Sequence, residues 1–501
     1  MIAALAFGLL LMQAAPPAGD PPKPAETKAA EKEEPPVVTH HEIRVGGKTL
    51  KYAATTGMMP LRDTKGEIEA RIFFVAYTLE GVADASRRPL MFSFNGGPGS
   101  ASVWLHLGAL GPKRVVMKPD GQMPAPPFHL VDNEYTWLDQ TDMVFIDPVG
   151  TGYSRAAKPE LNKKFWSLRG DIESVGEFIR MYLTRYERWT SPLFLVGESY
   201  GTTRAAGLAG YLVERGIAFN GIVLVSSILN FQTAEFAKGN DLPYMLFLPT
   251  YTATAWYHHK LPADLQADLG KTLKEVEAWA ETGYTEALAK GDRLTAAERQ
   301  ATIEKLARYT GLDPRYIDNS DLRVPIFQFT KELLRDQKRS VGRIDSRFKG
   351  MDESAAGAVP DFDPSIAAIR PPYTTTFNNY VRGELGYKSD LEYYILGEGI
   401  SSPWEWGPSS SREGFPDTSE ALRSAFAKNS YMKLYVASGY FDLATPYFAT
   451  EYTLAHMGVD PSLRGNIRTG EYEAGHMVYI DTKSLAKLKR EVGEFLTSAL
   501  P

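Results

Sequence analysis

No cysteine occurs among the 501 residues. That single absence removes disulfides, thiolate metal sites, iron–sulfur clusters and cysteine nucleophiles, while leaving the redox compartment open, because an oxidising space tolerates a cysteine-free chain. Basic excess is also missing: 55 Lys+Arg face 61 Asp+Glu, a formal net charge of −6, so no surface for nucleic acid is expected. No GK[ST] follows the Gly96-Gly97-Pro98-Gly99 turn and no H-E-x-x-H occurs, which argues against a phosphate loop there and against that zinc motif. Neither a metal nor a cofactor is expected. With 43 Gly and 33 Pro, about 15% of the chain, glycine and proline stand close to ordinary usage, which excludes a fibre or a low-complexity chain. What remains is a long chain with 44% hydrophobic residues, enough to bury a large core.

Long apolar runs are equally scarce. Ile2 to Met12 is an uncharged apolar run of eleven residues, too short to cross a bilayer as a helix. Small residues and prolines follow it, as near a secretory cleavage site, although no Lys or Arg precedes the run. Residues 1–15 are therefore read as a signal peptide, with export to a periplasm or the medium and no integral membrane segment in the mature chain. Residues 16–36 are rich in Pro, Lys and Glu and have little to bury, so they read as a disordered linker.

From Val37 onward the pattern is that of a folded protein. EIRV-GG-KTLKY, beginning at Glu42, reads as two short strands around a Gly-Gly turn, and Arg71–Leu79 as a third strand. Short apolar runs at Leu90–Phe94, Met143–Ile146, Leu193–Val196, Ile222–Val225 and Leu434–Val436 each end in turn residues. Runs of this kind, without polar alternation, mark strands buried on both faces. Helical spacing appears between them, over Phe165–Tyr186, Thr202–Val213 and Lys483–Leu500. The expected fold class is α/β, a mostly parallel sheet covered by helices. Residues 37–232 and 381–501 form its two parts, and 233–380 is a helical insertion over the carboxyl edge of the sheet, where open sheets bind ligands. Its helices are expected at Leu261–Glu281, Ala296–Tyr309 and Thr330–Arg335.

The chemistry concentrates in Gly197-Glu198-Ser199-Tyr200-Gly201, a G-x-S-x-G pentapeptide between a strand and a helix. That context presents a serine hydroxyl above a sheet. A serine needs a base, and the base an orienting carboxylate. Of the eight histidines, His476 follows a glycine-rich turn near the end of the chain. Asp442 follows a late strand 34 residues earlier; Asp481, five residues after His476, is the rival acid. Asn95-Gly96-Gly97-Pro98-Gly99 ends an early strand and can offer backbone N–H groups to an oxyanion. The second half of such a hole would be the N–H of Tyr200.

Five blocks in order, NGGPGSAS at 95–102, VFIDPVGTGYS at 144–154, GESYG at 197–201, SGYFDLATP at 438–446 and EAGHMVYID at 473–481, make the chain similar to the serine carboxypeptidases, acid-active exopeptidases. The resemblance implies an α/β-hydrolase fold with an inserted helical lid region. It implies Ser199 as nucleophile, Asp442 as orienting acid and His476 as base, with Gly97 and Tyr200 N–H groups as the oxyanion hole. Asn95, Gly96 and Glu198 would take the free carboxylate of a peptide substrate. It implies release of C-terminal amino acids through an acyl-enzyme, favoured at acidic pH; an esterase or acyltransferase, or a non-catalytic binding protein, is the alternative on the same scaffold. The chain departs from the family at Ala109, where a second glutamate is usual, so that either one acid–acid hydrogen bond is missing or His106 or another side chain replaces it.

Overall fold

A computed structural model describes residues 33–397, 399–407 and 414–500. The expected signal segment 1–15 and the linker as far as residue 32 lie outside the described residues. The strands of the main sheet are β1 (Val37–Val45), β2 (Lys48–Arg62), β3 (Ile68–Leu79), β4 (Leu90–Phe94), β5 (Asp142–Ile146), β6 (Leu193–Ser199), β7 (Gly221–Ser227), β8 (Lys433–Gly439) and β9 (Ile467–Tyr472). They lie in the order β1-β2-β3-β5-β4-β6-β7-β8-β9, and Arg155–Ala156 pairs with β3 as a short tenth strand. From β5 to β9 every neighbouring pair is parallel, while β1, β2 and β3 join antiparallel at one end.

The parallel strands are buried on both faces, as their unbroken apolar runs require. Along β4, Met91 enters one core with Phe145, Phe194 and Val223, whereas Leu90 and Phe92 enter the other with Val144, Leu195 and Ile222. The first core is covered by the helix Thr482–Ala499 through Leu485, Leu488, Val492, Phe495 and Leu496. The second is covered by α1 (Leu168–Arg185) and α2 (Tyr200–Val213), whose Val175, Phe178, Ile179, Ala205 and Leu208 face the sheet. Helices thus lie on both sides of a mostly parallel sheet. Among the described residues, no helix is long and apolar enough to cross a membrane.

Several local readings change. The first two strands are long, nine and fifteen residues, because the pairing continues beyond the turn as far as Val37 and Thr56, and the second strand runs on to Arg62 against β3. The helical pattern over Leu261–Glu281 divides into Ala263–Gln266 and Leu269–Trp279, and that over Thr330–Arg335 becomes Ile326–Glu332. A helix from Pro364 to Gly383 runs straight through Pro371 and Pro372. Two adjacent prolines argue against a helix interior; here Tyr373, Phe377 and Tyr380, all buried in the first core, hold the segment in place. Between β7 and β8 a third apolar core joins Leu242–Tyr257, Leu269–Trp279 and Ala296–Thr310 to Phe441, Leu443, Tyr447 and Phe448, which follow β8.

One buried ionic group ties the start of β5 to its surroundings. Asp142 accepts from Arg88 Nε at 2.8 Å and from Arg188 Nη1 at 2.7 Å, and its Oδ1 also takes the Leu79 N–H at 3.0 Å. Removing the carboxylate leaves two guanidinium groups buried without their counter-charge. Asp142→Ala is expected to lower unfolding free energy by about 3–5 kcal/mol, measured by urea denaturation, with Arg169→Ala, which removes the exposed Arg169–Glu173 pair, costing far less.

Candidate active site

The site is assembled from turns that leave the carboxyl ends of parallel strands: Asn95 after β4, Ser199 at the end of β6, Asp442 after β8 and His476 after β9. Ser199 adopts φ 60° and ψ −132°, a conformation that costs a side-chain-bearing residue on the order of 1–3 kcal/mol and persists only where packing enforces it. Two glycines supply the enforcement. A Cβ on Gly197 would stand 2.2 Å from Gly201 O, and one on Gly96 would stand 2.4 Å from Tyr200 N. The β4 turn and the nucleophile turn therefore touch backbone to backbone.

Arg204, 1% exposed on α2, binds these parts together. Its Nε donates to Asp171 Oδ2 at 2.7 Å, its Nη1 donates to Asn95 O at 2.7 Å, and the Tyr200 hydroxyl donates to the same Asp171 oxygen at 3.0 Å. Sequence reasoning passed over this group; a charged pair inside apolar helical faces was the available signal.

His476 Nδ1 lies 2.8 Å from Asp442 Oδ2, and since an ionised carboxylate only accepts, Nδ1–H is the donor. Asp442 is fully buried and receives three further hydrogen bonds, from the N–H groups of Ala444 and Thr445 and from Thr445 Oγ1. The backbone of His476 is held on both sides, its N–H donating to Ile344 O at 2.7 Å and its carbonyl accepting from Ser226 Oγ at 2.6 Å. The rival acid plays another part: Asp481 caps the helix Thr482–Ala499 by accepting from Ser484 N, and it faces Arg347. Burial by itself would lower the His476 pKa. The charge and hydrogen bond of Asp442, aided by the charge of Glu198, outweigh it and hold the imidazole above its ordinary value.

Ser199 and His476 line one cavity of about 200 Å³ with Asn95, Gly96, Gly97 and Glu198. Among the described residues nothing hydrogen-bonds to Ser199 Oγ, a common state of such pairs without substrate. Tyr200 opens α2, so its N–H has no partner within the helix. Asn95 is locked at both ends of its amide, Oδ1 accepting from Leu105 N at 3.0 Å and Nδ2 donating to Glu198 Oε1 at 2.9 Å. Glu198 Oε2 is buried without a hydrogen bond. Burial pushes the Glu198 pKa up to about 7, against the opposing influence of His476, Tyr479 and Asn95.

His106 does not substitute for the glutamate missing at Ala109. It is 2.7 Å from the Tyr77 hydroxyl and stacks on Phe145, turned into the core beneath the sheet. Tyr479 and Tyr373 are the polar groups near Glu198, whose charge adds to burial in raising both phenol pKa values, and a Cβ on Gly108, beside Ala109, would strike both. Tyr479 was within reach of sequence reasoning, three residues beyond His476 in EAGHMVYID.

A strand-borne serine on a left-handed turn, with a histidine and a buried aspartate from later strands, defines the α/β-hydrolase fold. The serine carboxypeptidase profile matches residues 48–343, more than half of the chain, and the chain belongs to that family. It is 29% identical to serine carboxypeptidase-like 36 of Arabidopsis thaliana over 167 residues, covering 32% of each chain. To the pheromone-processing carboxypeptidase KEX1 of Saccharomyces cerevisiae it is 33% identical over 158 residues, 29% of this chain and 20% of that protein. The match thus spans a third or less of the length of these curated relatives. The crystal structure of Kex1Δp, a prohormone-processing carboxypeptidase from Saccharomyces cerevisiae, superposes with a TM-score of 0.57 at 18% identity, covering 89% of this chain and 91% of that one. At that identity the likeness is one of fold.

The raised pKa of Glu198 links proton binding to stability. The native state holds this proton up to about pH 7, whereas an unfolded glutamate releases it near 4.3. Stability from this group is therefore full below the unfolded value and is lost as pH rises through about 7. Glu198→Gln cannot titrate, so its urea-unfolding free energy should fall less than that of the wild type between pH 5 and pH 8, by on the order of 3 kcal/mol.

Proposed function

We propose that the protein is a serine-type carboxypeptidase that releases C-terminal amino acids from peptides. One observation carries this reading: the cavity holding Ser199 and the His476–Asp442 pair also holds Glu198, a buried carboxyl with one oxygen unpartnered, braced by Asn95. A site that takes a free C-terminus has a direct use for an acid there. A protonated carboxyl can donate to the terminal carboxylate of a peptide, whereas an ionised one repels it.

The catalytic sequence follows from the roles that fit these positions. Ser199 Oγ attacks the carbonyl carbon of the last peptide bond as His476 Nε2 takes the hydroxyl proton. Asp442 keeps the Nδ1–H tautomer and stabilises the imidazolium. The tetrahedral oxygen accepts from the N–H groups of Gly97 and Tyr200. The C–N bond then breaks, His476 returns the proton to the leaving amine, and water, deprotonated by the same imidazole, releases the acyl group. Asn95, the Gly96 N–H and Glu198 hold the substrate carboxylate. In this reading the helical insertion 233–380 is the lid region that walls the cavity, supported by Arg343, Ile344, Ile366 and Ile369 among its lining residues. Export is supported by the N-terminal apolar run and its small-residue sequel.

Ser199→Ala is expected to abolish labelling by a fluorophosphonate probe and to lower kcat on a blocked dipeptide by about 10³-fold or more. Asp442→Asn should cost about 10³ to 10⁴ in kcat, and Asp481→Asn much less. Retained peptidase activity in a folded S199A protein would overturn the assignment.

Acidic preference has a separate test. Neutral His476 is needed for attack, so every substrate slows as pH falls through its raised pKa. Glu198 adds a second limb for free acids alone, which weaken as it ionises around pH 7. The ratio of kcat/KM for a free-acid peptide over its amide cancels the histidine and should fall by about tenfold or more between pH 5 and 8.5. In Glu198→Gln that ratio should stay nearly flat. A slope unchanged by the substitution would remove Glu198 as carboxylate receptor and favour an esterase or acyltransferase.

A further inference from the structure

The same cavity contains a cation that the proposed reaction leaves unused. Arg343 lines it beside Ser199, His476 and Glu198. Its backbone is tightly placed: the N–H donates to Asp363 Oδ2 at 3.2 Å, the carbonyl accepts from Leu443 N at 3.0 Å, and the following carbonyl, Ile344 O, accepts from His476 N at 2.7 Å. Arg343 is thereby fixed relative to the loops of Asp442 and His476 at once. Its guanidinium has no comparable anchor. Among the described residues it makes no ion pair and no side-chain hydrogen bond, although it is half-buried. The other arginines enclosed by this fold behave differently: Arg88 and Arg188 share Asp142, Arg204 holds Asp171, and Arg347 holds Asp345.

The surroundings leave few partners for this charge within the protein. Ile344, Ile366 and Ile369 line the cavity with it. The titratable groups nearby are His476, whose pKa the Arg343 charge presses down, and Glu198 and Asp442, both engaged in the network described above. Asp363 spends its carboxylate on backbone N–H groups and on Ser365. A residue that lines the cavity with a planar fork of donors, and has apolar side chains beside it, matches a carboxylate carried on a short aliphatic stem.

We propose that Arg343 selects peptides with an acidic side chain next to the scissile bond, its guanidinium pairing with the Asp or Glu carboxylate of the bound substrate. The inference rests on the carboxypeptidase reading, in which the terminal carboxylate is taken by Asn95, Gly96 and Glu198. Arg343 is a specificity residue here, and its segment enters the cavity apart from the two turns that carry those three.

The test compares blocked dipeptides with Glu or the isosteric Gln at the last or the penultimate position, in the wild type, Arg343→Gln and Arg343→Lys. Two quantities are read: kcat/KM, and protection of Ser199 from fluorophosphonate labelling by the same peptides, which reports binding without turnover. Wild type should prefer Glu over Gln by about tenfold or more at one of the two positions. The preference should vanish in R343Q and survive only in part in R343K, which keeps the charge and loses the fork. Ratios within one variant cancel the change that the lost charge makes at His476. No preference in the wild type, or a preference unchanged in R343Q, overturns the proposal. So does a fall in free-acid over amide selectivity in R343Q with the Glu-to-Gln ratio unmoved, which would assign Arg343 to the terminal carboxylate. If the wild type cleaves none of these peptides, the carboxypeptidase reading fails; Glu-selective protection that requires Arg343 would still uphold the acidic subsite, and its absence would refute it.

Discussion

The backbone of Ser199, held at φ 60° and ψ −132°, is the constraint around which the rest of the site is arranged. A strained turn of this kind cannot hold itself, so the surrounding structure has to make every relaxed alternative worse. Gly96 and Gly197 let three backbone segments approach to distances that no Cβ would permit. Arg204 then fastens the approach from below, linking α2 to Asp171 on α1 and to the carbonyl of Asn95. The nucleophile turn and the Asn-Gly-Gly turn thus form a single rigid body. The pairing of β4 with β6 in the sheet sets how far apart they start.

Charge burial is the second organising feature. Asp442 is enclosed, yet four donors face its oxygens. Glu198, equally enclosed, has one oxygen paired and one bare, and its pKa rises to about 7. Burial disfavours the ionised form of Glu198, and the hydrogen bond from Asn95 only partly opposes it. His476 feels the charge of both carboxyl groups, so the charge states of base and candidate receptor are coupled. A group that releases its proton near neutrality suits the recognition of an anion on the acid side of that range.

Much of this was legible in the chain. Apolar runs bounded by turns identify the parallel strands because strands covered on both faces cannot afford polar alternation; Leu90–Phe94 is read to the residue. Where tertiary packing overrides local preference, reading fails. The helix Pro364–Gly383 contains two prolines that locally argue for a break, and only the burial of Tyr373, Phe377 and Tyr380 keeps it intact. β9 escaped notice altogether, since Ile467–Tyr472 carries Arg, Thr and Glu on an edge strand with one open side.

By itself the sequence determined the α/β class, the order of the turns that carry Ser199, Asp442 and His476, and the glycine-rich segments between which they lie. Those features are encoded by residue type and spacing within a few positions. The contacts that Asp442 and Asp481 each make, the inward turn of His106, the Arg204 clasp and the place of Arg343 in the cavity lining were visible only in the tertiary structure. His106 meets Tyr77, Arg204 meets Asp171 and Asn95, and Asp442 meets His476, each pair separated by about thirty to a hundred residues, and no local pattern records such a pairing. Asp481 and Asp442 differ little as amino acids in a sequence; one caps a helix, and the other lies 2.8 Å from an imidazole.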